Sequence, residues 1–176
     1  MLTYSTDRLA LRNWTEEDAG FVLDLYSRLE VQRFIGPVPR LMAHPAEARE
    51  RLEAWRRRDD GVHGIWAVEV AEDRRLAGVL LLKPIPLSAG VPGPGNETEI
   101  GWHFHPDFWG RGYAAEAAST ILQHGFEQGL QRVVAVTHPL NLASQGVCGR
   151  IGMRHLGVST RYYDTACELF AASADG

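Results

Sequence analysis

Phe108-Trp109-Gly110-Arg111-Gly112-Tyr113-Ala114 decides how this chain reads. The stretch closes a segment that alternates like a strand. It opens an alanine-rich run in which Ala114, Ala118, Ile121 and Gly125 share one helical face. Gly110 and Gly112 allow a tight turn and keep Cβ atoms off the backbone. A helix that starts from such a turn presents unpaired N–H groups and the positive end of its dipole, a combination suited to phosphate. A plain strand-to-helix turn also needs glycine, so the turn alone is ambiguous. It is not a dinucleotide fingerprint, because the third glycine and the distal acid are missing, and no Gly-Lys-Ser/Thr follows to make a Walker loop.

Working outward, Thr98 to His105 reads as a strand before the turn, and Gly112 to about Gln128 as the helix after it. Arg132 to Thr137 reads as a strand and Asn141 to Ile151 as a helix. Two strands close the chain, Met153 to Ser159 and Arg161 to Ala172. Upstream, Arg8 to Trp14 alternates around Leu9 and Leu11. Thr15 is an N-cap followed by Glu16, Glu17 and Asp18, and Phe21, Val22, Leu25 and Leu29 form the buried stripe of a first helix. Gly36-Pro37-Val38-Pro39 breaks it off. A second helix, Pro45 to about Asp59, is dominated by charge, with Leu52 and Trp55 as its apolar contacts, and reads as a solvated surface helix. Ile65 to Val70 and Leu76 to Leu82 flank an Asp73-Arg74-Arg75 turn. Leu87 to Asn96, rich in Gly and Pro, is expected to be a mobile loop. The order β-α-α-β-β-β-α-β-α-β-β predicts an α/β fold. Its mixed, mostly antiparallel sheet has about seven strands, with about four helices on both faces. No repeat or linker divides it, so one domain is expected over residues 1–176.

Composition narrows the class. The 176 residues are 45% hydrophobic and 23% charged, which suits a globular protein. A formal net charge of −4 argues against binding DNA, which favours a basic excess. Cys148 and Cys167 have neither metal-ligand nor disulfide-framework spacing, and no metal is expected. Met1 to Ser5 lacks the charged and apolar regions of a secretory signal, and no apolar run approaches the ~20 residues of a membrane span. A cytoplasmic protein without a membrane partner is the expectation; Asn96-Glu97-Thr98 is then an unused glycosylation sequon.

Glu99-Ile100-Gly101-Trp102-His103-Phe104-His105-Pro106, followed by Phe108 to Ala117, resembles the core of the GNAT superfamily of acetyl-CoA-dependent N-acetyltransferases. It is most similar to the RimJ/RimL branch, which acetylates N-terminal amines of ribosomal proteins and includes many small-molecule acetyltransferases. Two further segments agree: Thr6 to Arg12 with Thr15 to Asp18, and Asn141-Leu142-Ala143-Ser144 with Gly152-Met153 closing its helix. Trp109 stands where the superfamily usually has Gln or Arg, a replacement common in this branch.

The resemblance implies that acetyl-CoA is the cosubstrate and an amine the acceptor, either a protein N-terminus, ribosomal or other, or a small molecule. Homodimers are common in the branch. The pyrophosphate is expected on the N–H groups from Gly110 through Arg111, Gly112 and Tyr113 to Ala114, with Trp109 at the loop's start and Arg111 as a possible charged contact. Backbone groups of Phe104 and His105 are expected to pair with pantetheine in a gap beside the Thr98–His105 strand. Asn141 and Ser144 are expected to cap their helix or bond the cofactor. Glu99 aligns with a carboxylate common in the branch and is the candidate base, with His103 and His105 as rivals. Many members place a proton-donating Tyr seven residues after the motif Asn. Here that position is Cys148, the candidate acid, with Tyr162 and Tyr163 as fallbacks. A non-catalytic acyl-CoA-binding module and an enzyme for longer acyl chains remain open. Thiol release with an amine panel separates the first from an enzyme, and competition between acyl-CoAs the second.

Overall fold

The computed structural model describes residues 3–93 and 95–175. Met1 and Leu2, part of the segment read for a secretory signal, lie outside the described residues, as do Pro94 of the expected mobile loop and Gly176. The chain runs β1 (Tyr4–Ser5), β2 (Leu9–Arg12), α1 (Ala19–Ser27), α2 (Leu29–Gln32), α3 (Pro45–Arg56), β3 (Gly64–Val70), β4 (Leu76–Pro84), β5 (Thr98–Phe104), α4 (Tyr113–Glu127), β6 (Arg132–Thr137), α5 (Leu142–Arg150), β7 (Arg154–Ser159) and β8 (Cys167–Ser173). The strands form one eight-stranded sheet in the order β1-β2-β3-β4-β5-β6-β8-β7. Every pairing is antiparallel except β5 with β6.

Strand alternation sorts the core into two layers. On β3, Trp66 and Val68 face α4 together with Leu9, Leu80 and Ile121, whereas Ile65 and Ala67 face α1 and α3 with Leu25, Leu52 and Trp55. All seven β3 residues are buried, including Glu69, whose carboxylate is paired with Arg12 and Arg74. Each large apolar side chain enclosed this way contributes roughly 1.5–3 kcal/mol.

Two expected elements differ. The first helix is divided: a 3₁₀ turn at Glu16–Asp18 leads into α1, and Arg28 (φ −89, ψ 122) separates α1 from α2. Arg12 donates to both oxygens of Asp18, whose Oδ2 also accepts from the Thr15 N–H at 2.7 Å, so this helix entry is tied to β2. The last strand begins at Cys167, not Arg161, because Tyr163 (φ 59) and Asp164 (φ 53) turn left-handed. That turn anchors the start of the Leu87–Asn96 loop. Ser88 donates from N–H and hydroxyl to the carbonyls of Arg161 and Thr160, and Ala89 donates to Asp164 at 2.7 Å.

The feature that positions the site is a fork. β5 pairs with β4 along its whole length, from Thr98↔Pro84 to Phe104↔Gly78. With β6 it pairs only at Thr98↔Val133 and Glu99↔Val134. Beyond Glu99, β5 follows β4 and β6 follows β8, leaving a gap between them.

Candidate active site

At the wide end of the fork, Gly110 (φ 74) and Gly112 (φ 81) turn the chain from β5 into α4. Residues with a Cβ pay about 1–2 kcal/mol in this left-handed region, so both positions favour glycine. The first helical bond runs from the Glu116 N–H to the Gly112 carbonyl. The N–H groups of Tyr113, Ala114 and Ala115 therefore have no partner within the helix. The Arg111 guanidinium lies 5.5 Å from the Phe108 ring centroid, and its carbonyl accepts from Arg8. Arg8 also donates to Glu116 and covers the Tyr113 ring at 4.9 Å. Sequence reasoning quoted Arg8 but gave it no role; its position 103 residues from Arg111 hid the contact.

Trp109 is 47% exposed, yet its indole N–H donates to the Phe104 carbonyl at 2.7 Å. The gap's backbone groups follow from register. The Ile85 N–H bonds the Glu97 carbonyl and the His105 N–H bonds the Ala77 carbonyl, so odd-numbered β5 residues turn toward β4. The Ile100 N–H is the last that β6 takes, and Trp102 and Phe104 turn theirs into the gap. Of the two residues expected to meet pantetheine, Phe104 turns its backbone toward the gap, whereas His105 spends its N–H on Ala77; Trp102 turns the same way as Phe104. Across the gap, Thr137 is buried at the end of β6, its hydroxyl without a hydrogen-bond partner among the described residues. An orphaned buried hydroxyl costs about 1–3 kcal/mol. The strand-edge groups that β5 leaves unpaired beyond Glu99 would pair with the amides of a pantetheine arm, so these residues fit acetyl-CoA.

On the face of β5 away from α4, Glu99 is buried. Its Oε1 meets both the Lys83 ammonium and the Tyr163 hydroxyl, and Lys83 and Tyr163 are themselves 2.7 Å apart. Oε2 accepts no hydrogen bond among the described residues. Burial, then the Glu99 charge, raises the Tyr163 pKa far above its ordinary value. Four residues along β5 on the same face, His103 Nδ1 lies 2.8 Å from the Tyr26 hydroxyl. Burial, then the Arg51 and Lys83 charges, pushes the His103 pKa down to about 4. His105 is held between Asp24, 3.0 Å from Nε2, and the Asp107 N–H. Both histidines are therefore committed to partners, and the tight Lys83–Glu99–Tyr163 cluster had no signal in the sequence.

Asn141 caps α5, its Oδ1 accepting from the Ser144 N–H at 3.2 Å. Cys148 lies in the core on the α4 side, fully buried. Burial raises its thiol pKa to about 12. The structure places Cys148 and Glu99 on opposite sides of the sheet, with no contact between them among the described residues. The described residues contain no His, Cys, Asp and Glu group able to hold a metal ion, and no helix long and apolar enough to cross a membrane.

Comparisons with known proteins bear on the fold and the family. YnaD of Bacillus subtilis, an uncharacterized N-acetyltransferase, is 48% identical over 60 residues, a match covering 34% of this chain and only 35% of that protein. A GNAT-family acetyltransferase from Bacillus anthracis superposes with a TM-score of 0.79 at 23% identity, covering 99% of this chain and 100% of that one. RimL, a ribosomal L7/L12 α-N-protein acetyltransferase solved with coenzyme A, superposes with a TM-score of 0.79 at 18% identity, covering 98% of both chains. The sequence profile of the Acetyltransferase (GNAT) domain matches residues 8–154, most of the chain. The forked sheet and its glycine turn thus belong to a member of the GNAT acetyltransferase family, whose enzymes carry an acetyl group from acetyl-CoA to an amine.

Proposed function

We propose that this acetyltransferase belongs to the RimJ/RimL-like branch and transfers acetyl to a primary amine by direct attack within a ternary complex. The observation that carries this reading is the fork: β5 pairs with β6 at two positions only, opening a gap that leads to the glycine turn. The N–H groups from Gly110 to Ala114 hold the pyrophosphate, with Arg8 and Arg111 near the turn. Backbone groups of Trp102 and Phe104 meet pantetheine along the gap. Trp109 fixes the Phe104 carbonyl at the mouth.

Glu99 is the base. Lys83 and Tyr163 fix the carboxylate through Oε1, and Oε2 is left to take the ammonium proton, directly or through a water. The freed amine forms the C–N bond as the C–S bond breaks, and coenzyme A leaves as a thiolate. A thiol held near pKa 12 is a poor donor to a thiolate whose own conjugate acid lies near the ordinary thiol range. The second proton, which the nitrogen sheds as the amide forms, passes through water in the gap to the leaving sulfur, and Cys148 serves as core. Two unpaired cysteines suit a reducing cytoplasm. RimL's acceptor makes a protein N-terminus the first acceptor to try.

The test is thiol release from acetyl-CoA across a panel of peptide and small-molecule amines, with intact mass spectrometry of enzyme incubated without acceptor. Release with at least one amine and no acetylated enzyme is expected. An acetyl adduct on the protein would replace direct transfer with a covalent route, and silence across the panel would leave a binding module.

A further inference from the structure

Beside the β5 site, α3 borders a cavity of about 430 Å³ that the function above does not use. Glu47, Arg51 and Trp55 follow one another along one stripe of α3, Arg58 lies just past its end, and Arg40 joins them from the segment before it. Among the described residues, Arg40, Arg51 and Arg58 have no carboxylate within ion-pair distance. The adjacent arginines are engaged: Arg57 pairs with Glu53 at 3.6 Å, and Arg56 donates to the Trp14 carbonyl. Two acids share the cavity. Glu47 is pinned at the start of α3, its Oε1 accepting from the N–H groups of Ala43 and His44, and Glu50 is the second. Three guanidiniums against two carboxylates leave the cavity cationic.

This cavity shares a wall with the reaction site. The Arg51 guanidinium stacks 4.4 Å from the centroid of the buried Tyr26 ring, and the Tyr26 hydroxyl meets His103 on β5. Trp55 packs edge-on against the same ring at 6.0 Å. The Arg51 charge is felt at His103 and the Arg58 charge at Tyr163. The arginines thus border the face of β5 that carries Glu99, and α3 is not merely a solvated helix.

We infer that the accepted amine carries an oxyanion, carboxylate or phosphate, received by Arg40, Arg51 and Arg58 while its nitrogen reaches β5 between His103 and Glu99. Guanidiniums suit this task because their fork pairs with both oxygens of a carboxylate or phosphate. The inference rests on the acetyltransferase reading and names its acceptor class.

The test uses ω-amino carboxylates of increasing chain length, each against its neutral amide, and aminoalkyl phosphates, each against its alcohol. Thiol release from acetyl-CoA gives kcat/KM, and calorimetry on CoA-loaded enzyme gives binding. One or two charge-assisted contacts predict an advantage of about 10-fold or more for the anionic member of the best pair. The size of the advantage in the two series tells carboxylate from phosphate. The double variant Arg40→Gln/Arg58→Gln, at exposed positions, is expected to erase most of that advantage while acetyl-CoA binding stays within about 2-fold. Equal kcat/KM for charged and neutral partners, or a preference untouched in the variant, overturns the inference and leaves acetyl transfer standing. Selective anion binding without thiol release sinks acetyl transfer and supports the arginine site.

Discussion

Gly78 on β4 lies flat against Phe104 on β5: a Cβ at Gly78 would stand 2.8 Å from Cγ of the ring and 2.7 Å from the His103 carbonyl oxygen. The obstruction includes backbone, so no side-chain rotation relieves it. Gly78→Ala is expected to destabilise the fold by about 1–3 kcal/mol, the usual cost of overpacking. It should also raise the KM for acetyl-CoA by displacing the end of β5. Urea unfolding with an unchanged m-value and steady-state kinetics check the two effects; a wild-type midpoint would show that β5 yields freely.

Trp109→Phe keeps the ring and deletes one N–H, the donor to the Phe104 carbonyl. Because the indole is half exposed, stability should change by less than about 0.5 kcal/mol. Acetyl-CoA binding should weaken about 3- to 10-fold, one hydrogen bond's worth, as measured by calorimetry. Equal affinity would mean that the bond does not hold the cofactor mouth in place.

His103 gives stability a pH dependence. Its folded pKa of about 4 lies below the ordinary 6.5 of imidazole. Between those values the unfolded chain takes up a proton that the folded chain refuses. The His103 contribution is complete above pH 6.5, declines as pH falls through about 4, and then levels off. The slope from this one group approaches about 1.4 kcal/mol per pH unit inside the window. His103→Gln should flatten that segment of the curve of unfolding free energy against pH, relative to wild type; parallel curves would exclude a depressed pKa.

Cys148→Ala removes a buried sulfur from the core beneath α5. The expected loss is about 1 kcal/mol of stability, with kcat within about 2-fold of wild type. A kcat collapse in a folded variant would restore the thiol as proton donor.

Legibility followed locality. β6 and α4 were readable because an apolar period, a glycine entry and a Gly-Leu exit fall within a few residues of each other. The start of β8 was not. Arg161-Tyr162-Tyr163 has strand-like composition, but the Tyr162 hydroxyl donates to Glu97 at 2.5 Å and the Tyr163 hydroxyl to Glu99, and these long-range bonds accompany the turn. Glu99 was readable as a candidate; the Lys83 and Tyr163 that hold it were not, since strand pairing and a left-handed turn bring them together. Arg51 reads as surface charge until Tyr26 is placed beneath it.

The fork also divides the molecule mechanically. β1 to β5 and β6 to β8 share two backbone-paired positions in the sheet, with α4 as the strap and side-chain bonds such as Glu97–Tyr162 and Glu99–Tyr163 at the closed end. Such a seam is where the sheet parts first under load or thermal agitation, and its amides should exchange with solvent ahead of those in β3 and β4. A molecule lodged in the seam would act as the missing stitch, so the donor substrate doubles as a tie bar between the two halves.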